Sequence, residues 1–214
     1  MGIHPVLAQL LLNRGIADAS AARLFLSGNL GMLHDPFLLK GMREAVERVD
    51  KARERKERVL IYGDYDVDGV TSVALLTRAL ERLGIPVVHH IPHRLNEGYG
   101  LNGAAVEIAG RHEADLLISV DCGITSMEEV RCINAAGIDV IVIDHHEPAG
   151  KELPDALAVV NPKRHDCSYP FKHLAAVGLV AKFIQALSGK ILPEDLELVV
   201  LGTIADVVPV LDEN

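Results

Sequence analysis

The chain has 214 residues, 49% of them hydrophobic and 24% charged, with a formal net charge of −9. That length bounds it to one α/β-sized domain with at most a small appendage, and the acidic balance argues against a nucleic-acid coat protein with a basic surface. No apolar run approaches the roughly 18 residues of a membrane span, and three cysteines, in neither a CxxC nor a zinc spacing, point to a reducing cytoplasm.

The first 58 residues read as a helical N-terminal segment. "MGIHPVLAQLLLNRG" fits neither a signal peptide nor a myristoylation site. "PVLAQLLLNRG" and "DASAARLFLSG" are short helix patterns, each closed by glycine. In "LKGMREAVERVDKARERKER", Met42, Val46 and Val49 recur at helical spacing on a charged helix. Its basic residues read either as a phosphate-tracking face or as an ordinary solvated face.

From residue 59 to 214 the pattern becomes that of an α/β domain. "VLIY" (59–62), "PVVHHI" (86–91), "DLLISV" (115–120), "DVIVI" (139–143) and "ALAVV" (156–160) are short β-rich runs. Helix-like stretches cover about 70–83, 102–112 and 125–136 between them, and 171–188 and 194–204 beyond. Strands alternating with helices predict right-handed βαβ units and a parallel sheet. The nearly continuous apolar runs predict a sheet covered on both faces, a three-layer parallel-sheet architecture.

Reactive residues follow four of these strands at once. They are Asp64, Asp66 and Asp68 in "GDYDVDG", His93 and Arg94 in "PHR", Asp121 in "VDCGI", and Asp144, His145 and His146 in "DHH". Asp206 in "GTIADVVP" follows a predicted helix. The carboxyl ends of parallel strands share one edge, where ligands bind, so these residues are expected to converge. Five or six clustered carboxylates repel one another, and divalent cations remove that cost. Oxygen ligands with imidazole and no thiolate suit Mn²⁺ or Mg²⁺ better than Zn²⁺, and the set is large enough for two ions about 3.5–4 Å apart. Gly69 and Gly123 would let backbone approach a phosphate, and a helix starting near Val70, with Thr71 and Ser72 in its first turn, would offer N–H groups to an anion. His93 and Arg94 could hold a neighbouring phosphate, and Tyr99 could stack on a base.

Each motif alone also reads as ordinary structure. Aspartates after strands form turns and helix caps. Thr125 and Ser126 with Glu128 and Glu129 read as capping boxes. His89 and His90 read as packed or edge residues, and Cys122 as a small buried residue. An EF-hand is excluded because Leu75 stands where its twelfth-position Glu is needed. A haloacid-dehalogenase site is disfavoured because Asp-His-His occupies the place of its acidic pair.

Taken in order, "GDYDVDGVTS", "VDCGI", "DHH" and "GTIADVVP" resemble the four motifs of the DHH phosphoesterase superfamily. "LHDPFLLKGM", "PHRLNEGYGL" and "NPKRHDCSYPFKHLAAVG" draw the resemblance toward its RecJ-type single-stranded-DNA exonucleases. The resemblance implies a DHH domain and 5′→3′ hydrolysis of single-stranded DNA in recombination and repair with Mn²⁺ or Mg²⁺. It also implies a cytoplasmic protein with repair or replication proteins as partners. It implies Asp66, Asp68, Asp121, His145 and Asp206 as metal ligands. Asp64 and Asp144 would act as further ligands or as partners behind them, and His146 would contact the scissile phosphate. The family normally continues into a second domain, and this sequence stops just after the fourth motif, as an excised catalytic domain would. Two other readings stay open: a DHH phosphoesterase acting on pyrophosphate, short oligonucleotides or cyclic dinucleotides, and a non-catalytic replication scaffold.

Overall fold

The computed structural model of the chain describes residues 2–93 and 100–214. The chain divides into two compact units, Met1–His34 with Glu213, and Asp35–Asp212 with Asn214. The N-terminal unit holds helices α1 (Pro5–Asn13) and α2 (Ala19–Ser27). Asp18 caps α2 by accepting the N–H groups of Ser20 and Ala21 at 2.9 and 2.8 Å. The chain leaves that helix through Gly28 in the left-handed region.

The larger unit is built on five strands: β1 (Val59–Tyr62), β2 (Val87–His90), β3 (Leu116–Val120), β4 (Asp139–Ile143) and β5 (Ala158–Val160). Every pairing is parallel, and the strand order is β2-β1-β3-β4-β5. Helix α3 (Met42–Arg55) precedes the first strand. Helices α4 (Val67–Arg82), α5 (Ala105–Arg111) and α6 (Met127–Ala135) connect the first four strands, and α7 (Ala176–Ser188) and α8 (Leu196–Ala205) follow the last.

The two-residue period of a strand sorts the sheet's side chains into two cores. Val59 and Ile61 of β1, Ile118 and Val120 of β3, and Ile141 and Ile143 of β4 face one way, against α3, α4 and α7. Leu60, Tyr62, Leu117, Val140 and Val142 face the other way, against α5 and α6. The three expected layers are therefore present. His89 is exposed on β2, which is an edge strand, as expected.

Helix α3 buries Met42, Ala45, Val49 and Ala52 completely in the first core. Its basic residues Arg43, Lys51, Arg53 and Arg55 are exposed, and Arg48 is buried. The helix runs into the start of β1, at the opposite edge of the sheet, where two of its arginines find acidic partners. Arg48 pairs with Glu57 and with Asp139, the first residue of β4, each at 2.6 Å. Arg55 lies 3.7 Å from Glu57. The compact unit thus begins upstream of α3, at Asp35.

Two helix starts differ from expectation. α4 begins at Val67 rather than near Val70, because Asp66 caps it by accepting the Gly69 N–H at 2.9 Å. α7 begins at Ala176 rather than near 171, and its N-cap residue, Ala175, makes no side-chain cap.

Candidate metal centre

In this strand order the chain turns to opposite sides after β1 and β3, which opens a crevice at the carboxyl edge between them. β1 delivers Asp64, Asp66 and Asp68 to that edge, β3 delivers Asp121, and β4 delivers Asp144, His145 and His146. Asp206 arrives from the end of α8.

The structure brings together all five expected ligands. Asp68, His145 and Asp206 can each place one donor atom within 4.8 Å of the other two. Asp64, Asp66 and Asp121 do the same, as do Asp121, His145 and His146. His145 links the groups: its Nε2 lies 3.4 Å from Asp121 and 3.9 Å from Asp68, and its Nδ1 lies 3.7 Å from Asp206.

Asp121 is the least comfortable of these residues. It is 1% exposed, and among the described residues neither of its carboxylate oxygens has a hydrogen-bond partner. Its backbone lies in the left-handed region, at φ 62°. Burial, reinforced by Asp68 and Asp66, pushes its carboxyl up to about 10. Both ring nitrogens of buried His145 likewise lack hydrogen-bond partners among the described residues. Buried donors and acceptors are normally satisfied. Orphaned carboxylate oxygens facing an orphaned imidazole fit a hard divalent cation that the chain itself does not supply.

Asp68 is tied into the fold on its other side. Its Oδ2 accepts the Ala176 N–H at 2.7 Å and its Oδ1 the Val177 N–H at 2.8 Å, so it supplies the cap that Ala175 lacks. Burial raises its carboxyl to about 6 against the pull of these two bonds. Burial also raises Asp64, whose Oδ1 accepts the Tyr65 N–H.

Asp144 behaves differently. Burial pushes it up, but bonds from the ring and N–H of His146 and from the Ile124 N–H outweigh that and hold it below the ordinary carboxylate range. The His146 Nδ1 sits 2.7 Å from Asp144 Oδ1, and this bond raises the imidazole to about 9. The His146 side chain is 43% exposed, the His145 side chain 8%.

Several expected phosphate contacts are placed elsewhere. Thr71 and Ser72 lie in the second turn of α4, and both are buried. The Thr71 hydroxyl donates back to the Val67 carbonyl at 2.7 Å. Their N–H groups belong to the helix ladder, because the helix begins a turn ahead of its expected start. Gly69 and Gly123 are accounted for by packing. A Cβ at Gly69 would lie 2.5 Å from the Asp64 carbonyl oxygen, and one at Gly123 2.7 Å from Ser119 Oγ. Ser126 precedes α6 without making a side-chain cap, so the expected capping box does not form. His93 is exposed in the loop after β2. Arg94 and Tyr99 lie outside the described residues. Cys122 is buried.

One further residue lies at the same edge. Asn161 directly follows β5, and its Nδ2 donates to the His146 carbonyl at 2.9 Å. The signal that marks the other strand ends, a first polar residue after an apolar run, marks it too.

Comparison with known proteins places the fold in a family. The model of the DHH family, N-terminal domain, matches residues 58–203. The single-stranded-DNA-specific exonuclease RecJ of Bacillus subtilis (strain 168) is 46% identical over 212 residues, covering 99% of this chain and 27% of that protein. A crystal structure of exonuclease RecJ bound to manganese superposes with a TM-score of 0.76 at 39% identity, over 87% of this chain and 47% of that one. RecJ from Thermus thermophilus in complex with Mn²⁺ gives a TM-score of 0.72 at 35% identity, over 95% and 28%. The chain thus spans less than half the length of these relatives.

Proposed function

The chain belongs to the DHH family, and from that premise we propose that it carries the metal centre of a phosphodiesterase that hydrolyses single-stranded DNA, as a 5′→3′ exonuclease in recombination and repair. The observation that carries this reading is the buried Asp121, with both oxygens unpartnered among the described residues, facing His145 across 3.4 Å. Such a group is costly in the chain alone and useful once a cation is present.

Two Mn²⁺ or Mg²⁺ ions would be held by Asp66, Asp68, Asp121, His145 and Asp206, with Asp64 beside Asp66 and Asp121. When bound, the ions lower the pKa of a water and neutralise charge on the phosphate. The rest is done by the chain's own side chains. Asp144 fixes the His146 ring by its 2.7 Å bond to Nδ1, which leaves that half-exposed ring to present its other nitrogen to a phosphate oxygen. Asp68 and Asp121 flank the Nε2 side of the His145 ring and Asp206 its Nδ1 side, which holds the imidazole between the two ligand groups. His93, Arg94, Gly69, Thr71, Ser72 and Gly123 would shape the substrate path, the buried ones by packing. Among the described residues no helix is long and apolar enough to cross a membrane. A cytoplasmic setting with repair or replication proteins as partners completes the proposal.

The test is digestion of end-labelled single-stranded DNA with Mn²⁺ or Mg²⁺. It compares 5′ and 3′ labels, duplex controls and a panel of dinucleotides and pyrophosphate. Progressive loss of the 5′ label from long single strands is expected. Cleavage confined to the small substrates would overturn the DNA reading.

A further inference from the structure

We propose that Asn161 is a positioning residue for the histidines of the metal centre, acting through the main chain of His146. This inference rests on the function proposed above. The β4–β5 pairing ends at Ile143 opposite Val160, so Asp144 and Asn161 face each other one step beyond the last pair. Asn161 is completely buried there. Its Nδ2 donates to the His146 carbonyl at 2.9 Å, and its Oδ1 accepts the Lys163 N–H at 2.8 Å. The amide can face only one way, since a flip would set donor against donor and acceptor against acceptor.

The turn that carries the two histidines is otherwise tied on its opposite side. There Asp144 Oδ2 accepts the Ile124 N–H from beyond β3, at 2.9 Å. The turn is therefore bracketed by β3 through Asp144 and by β5 through Asn161. The second bracket matters most for His146. Its side chain is 43% exposed, so packing does not set its place as it does for His145, at 8%. With the carbonyl of residue 146 released, the ring loses the anchor that aims it, and its bond to Asp144 is no longer held in one geometry. Groups that orient a metal-centre imidazole typically carry about 10–100-fold in metal affinity or activity.

The two ends of the Asn161 amide can be separated by substitution. Asn161→Ala removes both bonds. Asn161→Asp keeps the acceptor for Lys163 and loses the donor to His146. By charge alone the added carboxylate would tighten a cation, so weakened binding in that variant reports the lost donor. Two readouts apply to the 214-residue chain: Mn²⁺ affinity by calorimetry, and the imidazole Nδ1–H signal of His146 in metal-free, ¹⁵N-histidine-labelled protein. Both variants are expected to lose roughly 10–100-fold in Mn²⁺ affinity and to broaden or lose that signal, with unchanged circular dichroism. Should Asn161→Ala unfold, Asn161→Asp alone decides. Wild-type or tighter Mn²⁺ binding by Asn161→Asp, with the imidazole signal intact, would overturn the inference. If the wild-type chain binds no Mn²⁺, the metal reading fails instead, and the imidazole signal, recorded without metal, still decides the role of Asn161.

Discussion

The Oδ1 of Asp68 accepts the N–H of Val177 at 2.8 Å, 109 residues away in sequence, so one carboxylate both faces the candidate metal centre and caps helix α7. Its Oδ2 accepts the neighbouring Ala176 N–H. A candidate metal ligand is thereby anchored by a helix N-terminus, whose partial positive charge steadies the carboxylate.

Asp68→Ala leaves two buried N–H groups at the start of α7 without an acceptor. The metal-free chain should lose about 1–2 kcal/mol in urea unfolding at pH 7, the usual cost of a lost helix cap. Asp68→Asn keeps one acceptor and should lose less. Both should weaken Mn²⁺ binding in calorimetry. An Asp68→Ala chain as stable as wild type would remove the capping role.

Asp121 should show the opposite trade. Asp121→Asn removes a buried carboxyl whose oxygens lack partners among the described residues, and asparagine tolerates the left-handed backbone at φ 62°. Metal-free stability at pH 7 should rise, on the order of 1–3 kcal/mol, while Mn²⁺ binding and cleavage disappear. A less stable variant that still binds Mn²⁺ would contradict the assignment of Asp121.

The stability of the metal-free chain should fall as pH rises. Burial pushes Asp121 up to about 10 and Asp68 to about 6, so the folded chain holds protons that an unfolded chain has released above about 3.8. His146 adds to this trend. Raised from 6.5 to about 9 by Asp144, it stabilises fully below 6.5, and that contribution is lost through about 9. Asp144, held low, contributes with the opposite sign, and its stabilisation is lost only as pH falls below the ordinary carboxylate range. Melting temperatures in chelator should therefore decline from pH 6 to pH 9. Mn²⁺ affinity should rise over the same range, because binding displaces protons. A flat metal-free profile would show that these carboxyls are not perturbed as described.

Helix α8 reaches the site through a close crossing at Gly202. A Cβ there would lie 2.9 Å from Asp68 Oδ1 and within contact of Thr71 Oγ1 and Val177. Gly202→Ala should force α8 away from α4, carry Asp206 with it, and cost about 1–3 kcal/mol by overpacking, with weaker Mn²⁺ binding. Gly103→Ala, where a Cβ would meet nothing within 4 Å, is the control and should leave both unchanged. Equal behaviour of the two variants in thermal melts and calorimetry would rule out the close crossing.

The residue sequence alone was enough to place the sheet and the acids at its edge. Runs such as "VLIY" and "DVIVI" are strands because apolar residues fill both faces, and the polar residue that ends each run must lie at the strand's end. The motif residues from Asp64 to His146 were legible for the same reason, while Asp206 follows a helix and was legible from its motif alone. Asp66 could also have been read as the cap of α4, which would have put Thr71 and Ser72 in the second turn from the outset.

Tertiary structure alone decided the start of α7, the burial of Thr71 beneath Gly202, the pairing of Arg48 of α3 with Asp139 at the far edge, and the bond from Asn161 to His146. The physical reason is range. Periods of 2 and 3.6 residues report which side chains share a face of one element. A cap supplied from 108 residues away, or a glycine that admits a crossing helix, depends on how whole elements pack.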